Sequence, residues 1–262
     1  MINNDAPHPV HLSRLLLDQE SRRVRSELAF PYEMHRTLMH AFEGHLASGE
    51  RSPRKKAGVL FRADMEESHD EIILYVQSIV EPDWSFLSAL PDYLLGHSDS
   101  PNPACKDISG SYQQLREGQI LSFRLRANPT KRIGQVVGNK PGLKGKRVGL
   151  LQEEEQIAWL KRKGQKRDSG KSGGFELLMQ PAASRDGASE RVPCVRVRQE
   201  GKQPGRKRTG GQRHKMTHLA VRFDGHLRIT NADAFRETLL RGVGSAKAYG
   251  FGLLSIAPPR VP

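Results

Sequence analysis

The chain has 262 residues, with 42 Lys and Arg against 29 Asp and Glu, a formal net charge of +13 and a pI near 10.0. That length suits one large domain or two small ones, and the charge calls for a polyanionic partner, nucleic acid ahead of an anionic membrane. No window approaches the roughly 18 apolar residues of a membrane span, and the N-terminal MINNDAPHPV lacks the basic and apolar regions of a secretory signal. The two distant cysteines, Cys105 and Cys194, argue against a disulfide scaffold and fit a reducing cytoplasm. The expectation is a cytoplasmic protein with no membrane contact.

In chain order, VHLSRLLL (10–17) reads as a buried strand, followed by a polar, basic stretch over 18–29. FPYEMHRTLMHAFEGHL (30–46) reads as one helix, with Pro31 in an early position and Met34, Leu38, Ala41 and Phe42 on one stripe. GVLFRAD (58–64) and EIILYVQSI (71–79) read as strands, EPDWSFLSAL (81–90) as a short helix or turn, and the Ser/Pro/Gly-rich 97–117 as a linker. GQILSFRLRANP (118–129) alternates strictly, so that Leu121, Phe123 and Leu125 share one face and Ser122, Arg124 and Arg126 the other. KRVGLL (146–151) leads to a helix over 153–163, acidic at its start and basic at its end. FELLMQ (175–180) and VPCVRVRQ (192–199) alternate as strands, and THLAVRFDGHLRIT (217–230) predicts a hairpin turning at Asp224-Gly225. A capped helix over 231–242 and a Gly-rich loop entering a last strand, 243–256, complete the chain.

This order predicts an α+β protein of two tandem ferredoxin-like (RRM-like) βαββαβ domains, 8–96 and 118–258, joined by the linker 97–117. The second domain carries a basic insertion over about 164–215. Residues 161–215 hold 16 Lys and Arg against five acidic residues, which is +11 of the chain's +13. Within them, KRKGQKRDSGKSGG and GKQPGRKRTGGQRHK are so poor in apolar residues that mobile loops are expected. Such loops either keep the chain soluble or form a contact surface for phosphates.

Tyr32, His35 and Arg36 lie three and four residues apart and share a helix face largely opposite Met34, Leu38 and Ala41. An imidazole that titrates near neutrality, a phenol and a guanidinium suffice to cut RNA, because RNA carries its own nucleophile in the 2′-OH. The same three residues also describe an ordinary solvated helix face. GVGSAKAYGFG (242–252) follows a helix and precedes a strand, which excludes a dinucleotide fingerprint; it is either a phosphate-approaching loop or a tight turn. SGKSGG (169–174) lacks the glycine spacing of a P-loop. His35, His40 and His45, five apart, diverge around a helix, and no Cys pair accompanies His214 and His218, so no metal site and no cofactor are expected.

Taken together, HLSRLLLD (11–18), LAFPYEMHRTL (28–38), EPDWSFL (81–87), LSFRLRANPTKR (121–132), KGKRVGL (144–150), EQIAWLKRK (155–163), GGFELL (173–178) and LLRGVGSAKAYGFGLLSIAP (239–258) resemble the CasE family of CRISPR type I-E precursor-RNA endoribonucleases. They run in family order across nearly the whole chain. The resemblance implies two ferredoxin-like domains and metal-independent cleavage of repeat hairpins, leaving 2′,3′-cyclic phosphate and 5′-OH ends. It also implies retention on the 3′ stem-loop of the crRNA together with the other Cascade subunits. His35 matches the catalytic histidine, Tyr32 the helper tyrosine and Arg36 a phosphate contact, while His40 stands where some relatives have a lysine. Lys131 and Arg132 fall in a matching segment, and Gly242, Gly244, Lys247, Gly250 and Gly252 match the C-terminal signature loop. Arg124 and Arg126, with Arg196 and Arg198, are placed to grip the stem. Two other readings stay open: a non-catalytic subunit that only holds the guide-RNA hairpin, and a general basic RNA chaperone.

Overall fold

The computed structural model describes residues 9–46, 52–66, 71–96, 100–134, 145–165, 172–181, 191–209 and 212–259. Two antiparallel sheets, each covered on one face by helices, form two ferredoxin-like halves. In the first, β1 (His11–Leu17) is followed by α1 (Arg22–Ala29), α2 (Pro31–Met39), α3 (Pro53–Lys56), β2 (Leu60–Glu66), β3 (Glu71–Ser78) and β4 (Ala104–Asp107). The strands lie in the order β2-β3-β1-β4. After α4 (Ser109–Gln113) the second half begins with β5 (Ile120–Ala127), the small hairpin of β6 (Thr130–Arg132) and β7 (Arg147–Gly149), and α5 (Glu153–Gly164). It continues with β8 (Phe175–Leu177), β9 (Met179–Pro181), β10 (Arg191–Pro193), β11 (Val195–Thr209), β12 (Gln212–Ile229), α6 (Ala232–Arg241) and β13 (Leu254–Ala257). Its sheet runs β11-β12-β5-β13, with β8 also on β12. The alternation through β5 holds: Leu121, Phe123, Leu125 and Ala127 are buried and the intervening residues are not.

Several elements differ from the sequence reading, each for a physical reason. The polar stretch after β1 forms α1, capped by Ser21, whose side chain accepts from Val24 N. Only Val24 and Leu28 face its core, and the buried Glu27 is satisfied by Arg23, Thr37 and the Tyr93 hydroxyl. A short amphipathic face with a buried carboxylate has little periodic signal. The helix over 30–46 stops at Met39 and tightens into a 3-10 segment, His40–His45, while Met34, Leu38, Ala41 and Phe42 stay buried as one stripe.

The expected linker over 97–117 is corrected in part. Residues 104–107 are an edge strand on β1, and the Asn102 side-chain amide accepts from Leu16 N and donates to Leu16 O, both at 2.9 Å. An edge strand with one face in solvent needs no apolar alternation, so nothing in ACKD announces it. Residues 97–99 lie outside the described residues.

The hairpin expected at Asp224-Gly225 is also corrected. Both residues lie inside β12, a continuous strand paired with β11 from Val195↔Gly225 to Thr209↔Gln212. Gly225 is there because Cys194 crosses over it: His226 N donates to Cys194 O at 2.9 Å, and a Cβ at position 225 would overlap that oxygen. Residues 201–209 and 212–215 of the basic run, expected as a loop, belong to this β-ribbon, because main-chain pairing requires no apolar side chains. The other half of the insertion contributes the β9–β10 pair, and 166–171 and 182–190 lie outside the described residues.

The halves are joined through buried polar groups. Arg62, 3% exposed, pairs with Asp64 and donates from Nη1 to Leu253 O at 3.3 Å and Ser255 Oγ at 2.9 Å. Gln77 donates to Leu239 O at 3.0 Å and accepts from the Tyr112 hydroxyl at 2.7 Å. No helix among the described residues is long and apolar enough to cross a membrane.

Gly225→Ala should lower the unfolding free energy by about 1–3 kcal/mol, because backbone must move. Gly110→Ala, where a Cβ meets nothing within 4 Å on α4, should be neutral or stabilising by up to about 1 kcal/mol. Urea unfolding of the two variants checks the contrast.

Candidate active site

Pro31 starts α2 without needing an N–H partner, and the turn it nucleates sets Tyr32 and His35 on adjacent positions of the first two turns. Tyr32 is 42% exposed and His35 only 9% exposed, with their ring centroids 5.8 Å apart and nearly edge-on. His35 lies almost parallel to Phe61 of β2, 6.3 Å between centroids. Above it sits the Gly-rich loop, whose 3-10 turn Lys247–Tyr249 packs on α2 and β2 and brings the Tyr249 ring to 5.6 Å from Tyr32.

The loop's glycines serve mainly close packing. Gly242 and Gly252 both have positive φ, 73° and 95°. Each would press a Cβ to 2.8 Å from a carbonyl oxygen of the opposite limb, and Val243 N bonds Gly252 O at 2.9 Å between them. Gly250 lies over Phe61, and Gly244 over Trp159. Lys247 donates to Gly244 O at 2.8 Å and so braces the loop from inside.

Charge at this site comes from an unforeseen residue. Arg54, on α3, donates to Val59 O at 3.1 Å while Val59 N bonds Arg54 O at 3.0 Å, which locks α3 to the start of β2. Burial, with the nearby Arg54 charge second, lowers the His35 pKa from 6.5 to about 4. The same two causes lower Lys247, and burial lowers Arg54 itself. Three basic groups thus share a partly dehydrated corner, and His35 Nδ1 has no hydrogen-bond partner. A neutral imidazole beside a cation has the chemistry of a proton acceptor near an anionic group.

A family model described as CRISPR associated protein matches residues 10–258. The CRISPR-associated endoribonuclease Cse3 of Thermus thermophilus is 36% identical over 249 residues, spanning 94% of this chain and 99% of that protein. The chain belongs to the CRISPR-associated protein family. The Cascade subunit CasE of Escherichia coli K12 is 36% identical over 154 residues, 55% of this chain and 61% of its own. A structure of Cse3 bound to a 19-nt RNA superposes with a TM-score of 0.68 at 34% identity, covering 95% of this chain and 100% of that one. A Thermus thermophilus Cse3 bound to an RNA representing a pre-cleavage complex gives 0.66 at 33% identity, covering 95% and 100%.

Within this family fold the other expected residues fall into three groups. Arg36 projects from α2 into solvent and pairs with Glu33 at 2.9 Å, so it borders the site without joining His35. His40 lies beyond the break in the helix, where its Nδ1 meets Glu43 at 2.7 Å and its ring packs near Phe86. Arg124 and Arg126 are engaged within the protein, Arg124 with Asp224 and Asp64, Arg126 with Glu200 and over the Phe251 ring. These ion pairs also brace the charged face of the second sheet. Arg196 and Arg198 are exposed on the same face of β11, in register with Asp224 and Arg222. Lys131 pairs with Glu155 at 2.6 Å, and Arg132 lines a small cleft with Arg147, Lys163 and Gly244. Among the described residues no group of three or more His, Cys, Asp or Glu could hold a metal.

Because folding depresses the His35 pKa, its contribution to stability is complete above pH 6.5 and drains away as pH falls toward about 4. NMR titration should place the imidazole well below 6.5, and Arg54→Ala should raise it.

Proposed function

We propose that this protein cleaves CRISPR repeat hairpins in precursor RNA without a metal, by attack of the substrate's own 2′-OH, and stays on the 3′ stem-loop of its product within Cascade. The chain is an endoribonuclease of the Cse3 and CasE kind. The observation that carries the chemical part is the buried, neutral His35 beside the Arg54 charge, which also acts on Lys247 of the Gly-rich loop. His35 takes the 2′-OH proton, Tyr32 orients the ribose-phosphate junction, and Arg54 with Lys247 holds the charge that builds on the phosphorane. Both cations are presented from rigid packed segments, so little reorganisation accompanies charge development.

Outside this centre, Arg36 and the exposed Arg196 and Arg198 contact backbone phosphates of an A-form stem. Lys202 on the same ribbon adds to the sequence-independent, salt-sensitive component of affinity. The non-catalytic alternative requires the same grip on RNA but gives no use to a basic corner beside a depressed imidazole.

With a repeat hairpin in the presence of a chelator, wild-type protein should cut once and leave a 2′,3′-cyclic phosphate, while His35→Ala should bind the hairpin yet fail to cut it. Cleavage by His35→Ala at the wild-type rate would sink the assignment. Arg54→Ala should slow single-turnover cleavage by about 10²–10³-fold, the usual cost of one oxyanion-stabilising group. Arg36→Ala should instead weaken binding and reduce its salt slope by about one.

A further inference from the structure

The Gly-rich loop touches α2 and β2 on one side, and on its other side it is held by an arginine of the second sheet. Arg126, one residue before the end of β5, has its guanidinium over the Phe251 ring, 4.8 Å from the centroid. Its own carbonyl oxygen accepts from Gly252 N at 2.8 Å. Phe251 is fully buried beside Tyr249, in a small apolar cluster with Ala220. Side chain and main chain of Arg126 thus hold two successive residues of the loop, just after the turn that carries Lys247 and Tyr249.

The guanidinium is itself held from the β11–β12 ribbon. Nε donates to Glu200 Oε2 at 2.6 Å and Nη1 to Gln203 Oε1 at 3.1 Å. Residues three apart on a regular strand point to opposite faces, so Glu200 and Gln203 could not both reach one guanidinium from an unbroken β11. The break lies between them: Gln199 pairs with Val221 and Gly201 with Ala220, which leaves Glu200 as an extra residue in the ladder. A bulge of this kind shifts the alternation by one and turns both side chains to the same side. Gly201 accommodates it with a φ of 93°, in the region that favours glycine. The result is a two-point seat for Arg126. A planar fork with donors at fixed angles fits that seat, and an ammonium does not.

We propose that Arg126 is a positioning residue for RNA cleavage, which locks the Gly-rich loop to the bulged ribbon and so keeps Lys247 and Tyr249 in fixed register with His35 and Tyr32. It acts through the loop and needs no contact with RNA. Its charge faces Glu200, and its flat side covers Phe251. Because the ribbon holds Arg126 and Arg126 holds the loop, the strand that bears Arg198 and Lys202 is mechanically tied to the turn that bears Lys247.

The inference rests on the proposed chemistry of that corner, and its test reads the cleavage step apart from binding. Single-turnover cleavage of a repeat hairpin is timed with protein in saturating excess. Affinity is measured on the same hairpin made uncleavable by a 2′-deoxy unit at the mapped scissile junction. Arg126→Lys keeps the charge and loses the fork. It should bind the hairpin as wild type does and cut it roughly 10- to 100-fold more slowly, the effect expected when reacting groups are misplaced from a distance. Glu200→Ala should slow the same step, and the double variant should be no slower than the slower single one, because both remove one linkage. A wild-type cutting rate at saturation in either variant overturns the proposal, whether binding holds or weakens; weakened binding alone is the mark of a direct phosphate contact. Multiplying effects in the double variant overturn it too. Should Arg126→Lys not fold, Glu200→Ala and Gln203→Ala decide by the same two readings. Cutting by His35→Ala would remove the proposed chemistry and leave the rate of Arg126→Lys against wild type as the test of the loop.

Discussion

The buried Arg62 guanidinium is the contact on which the geometry of the active site depends. It stands on β2 next to Phe61, the residue that backs His35, and its hydrogen bonds cross to Leu253 and Ser255, where the Gly-rich loop becomes β13. One planar group thus sets the distance between the floor of the site and its roof. Asp64 neutralises it at 2.7 Å, and the Ser255 hydroxyl with the backbone oxygens of Leu253 and Arg124 accepts from Nη1, as burial of a charge demands. A lysine, with one point of charge and no fork, could not hold both strands in register.

Around this joint, electrostatics divide the basic surplus into two populations. Arg124, Arg126 and Arg222 are tied to Asp64, Glu200 and Asp224 and spend their charge inside the protein. Arg54 and Lys247 have no such carboxylate among their described partners, and the Arg54 charge instead adds to burial in depressing both Lys247 and His35. Net charge alone cannot separate these groups, because the distinction lies in which cations have an acidic neighbour across a strand. The proposed chemistry draws on the second population: a neutral imidazole and cations without a described acidic partner, held by packed segments.

Two aromatic rings connect this corner to its surroundings. Tyr32 stands at the open edge of α2, and Tyr249 leans on it from the loop and on His218 from the other side. Tyr249 is therefore shared between the His35 corner and the neighbouring cleft beside His218. Nothing in its position within KAYGFG distinguishes it from an ordinary loop aromatic. Only the folding of the loop back onto α2 gives it that place.

The primary sequence by itself determined the repeated ferredoxin-like pattern, the burial of alternate residues in β5, the buried stripe of α2, and the candidacy of Tyr32 and His35. Each depends on local periodicity or on short specific motifs, which survive in one dimension. It misread Asp224-Gly225 as a turn, because the close approach that requires Gly225 comes from Cys194, thirty-one positions earlier in the chain. It passed over β4, because an edge strand shows no alternation, and it gave the basic ribbon to loops, because backbone pairing leaves no apolar trace. Arg54 was silent for the same underlying reason. It sits in a plain basic run, SPRKK, so its role comes from partners on other elements. What tertiary structure alone decided was which charges are neutralised, which imidazoles are buried, and which rings meet. These are properties of pairs far apart in sequence, and only the closed fold brings the pairs together.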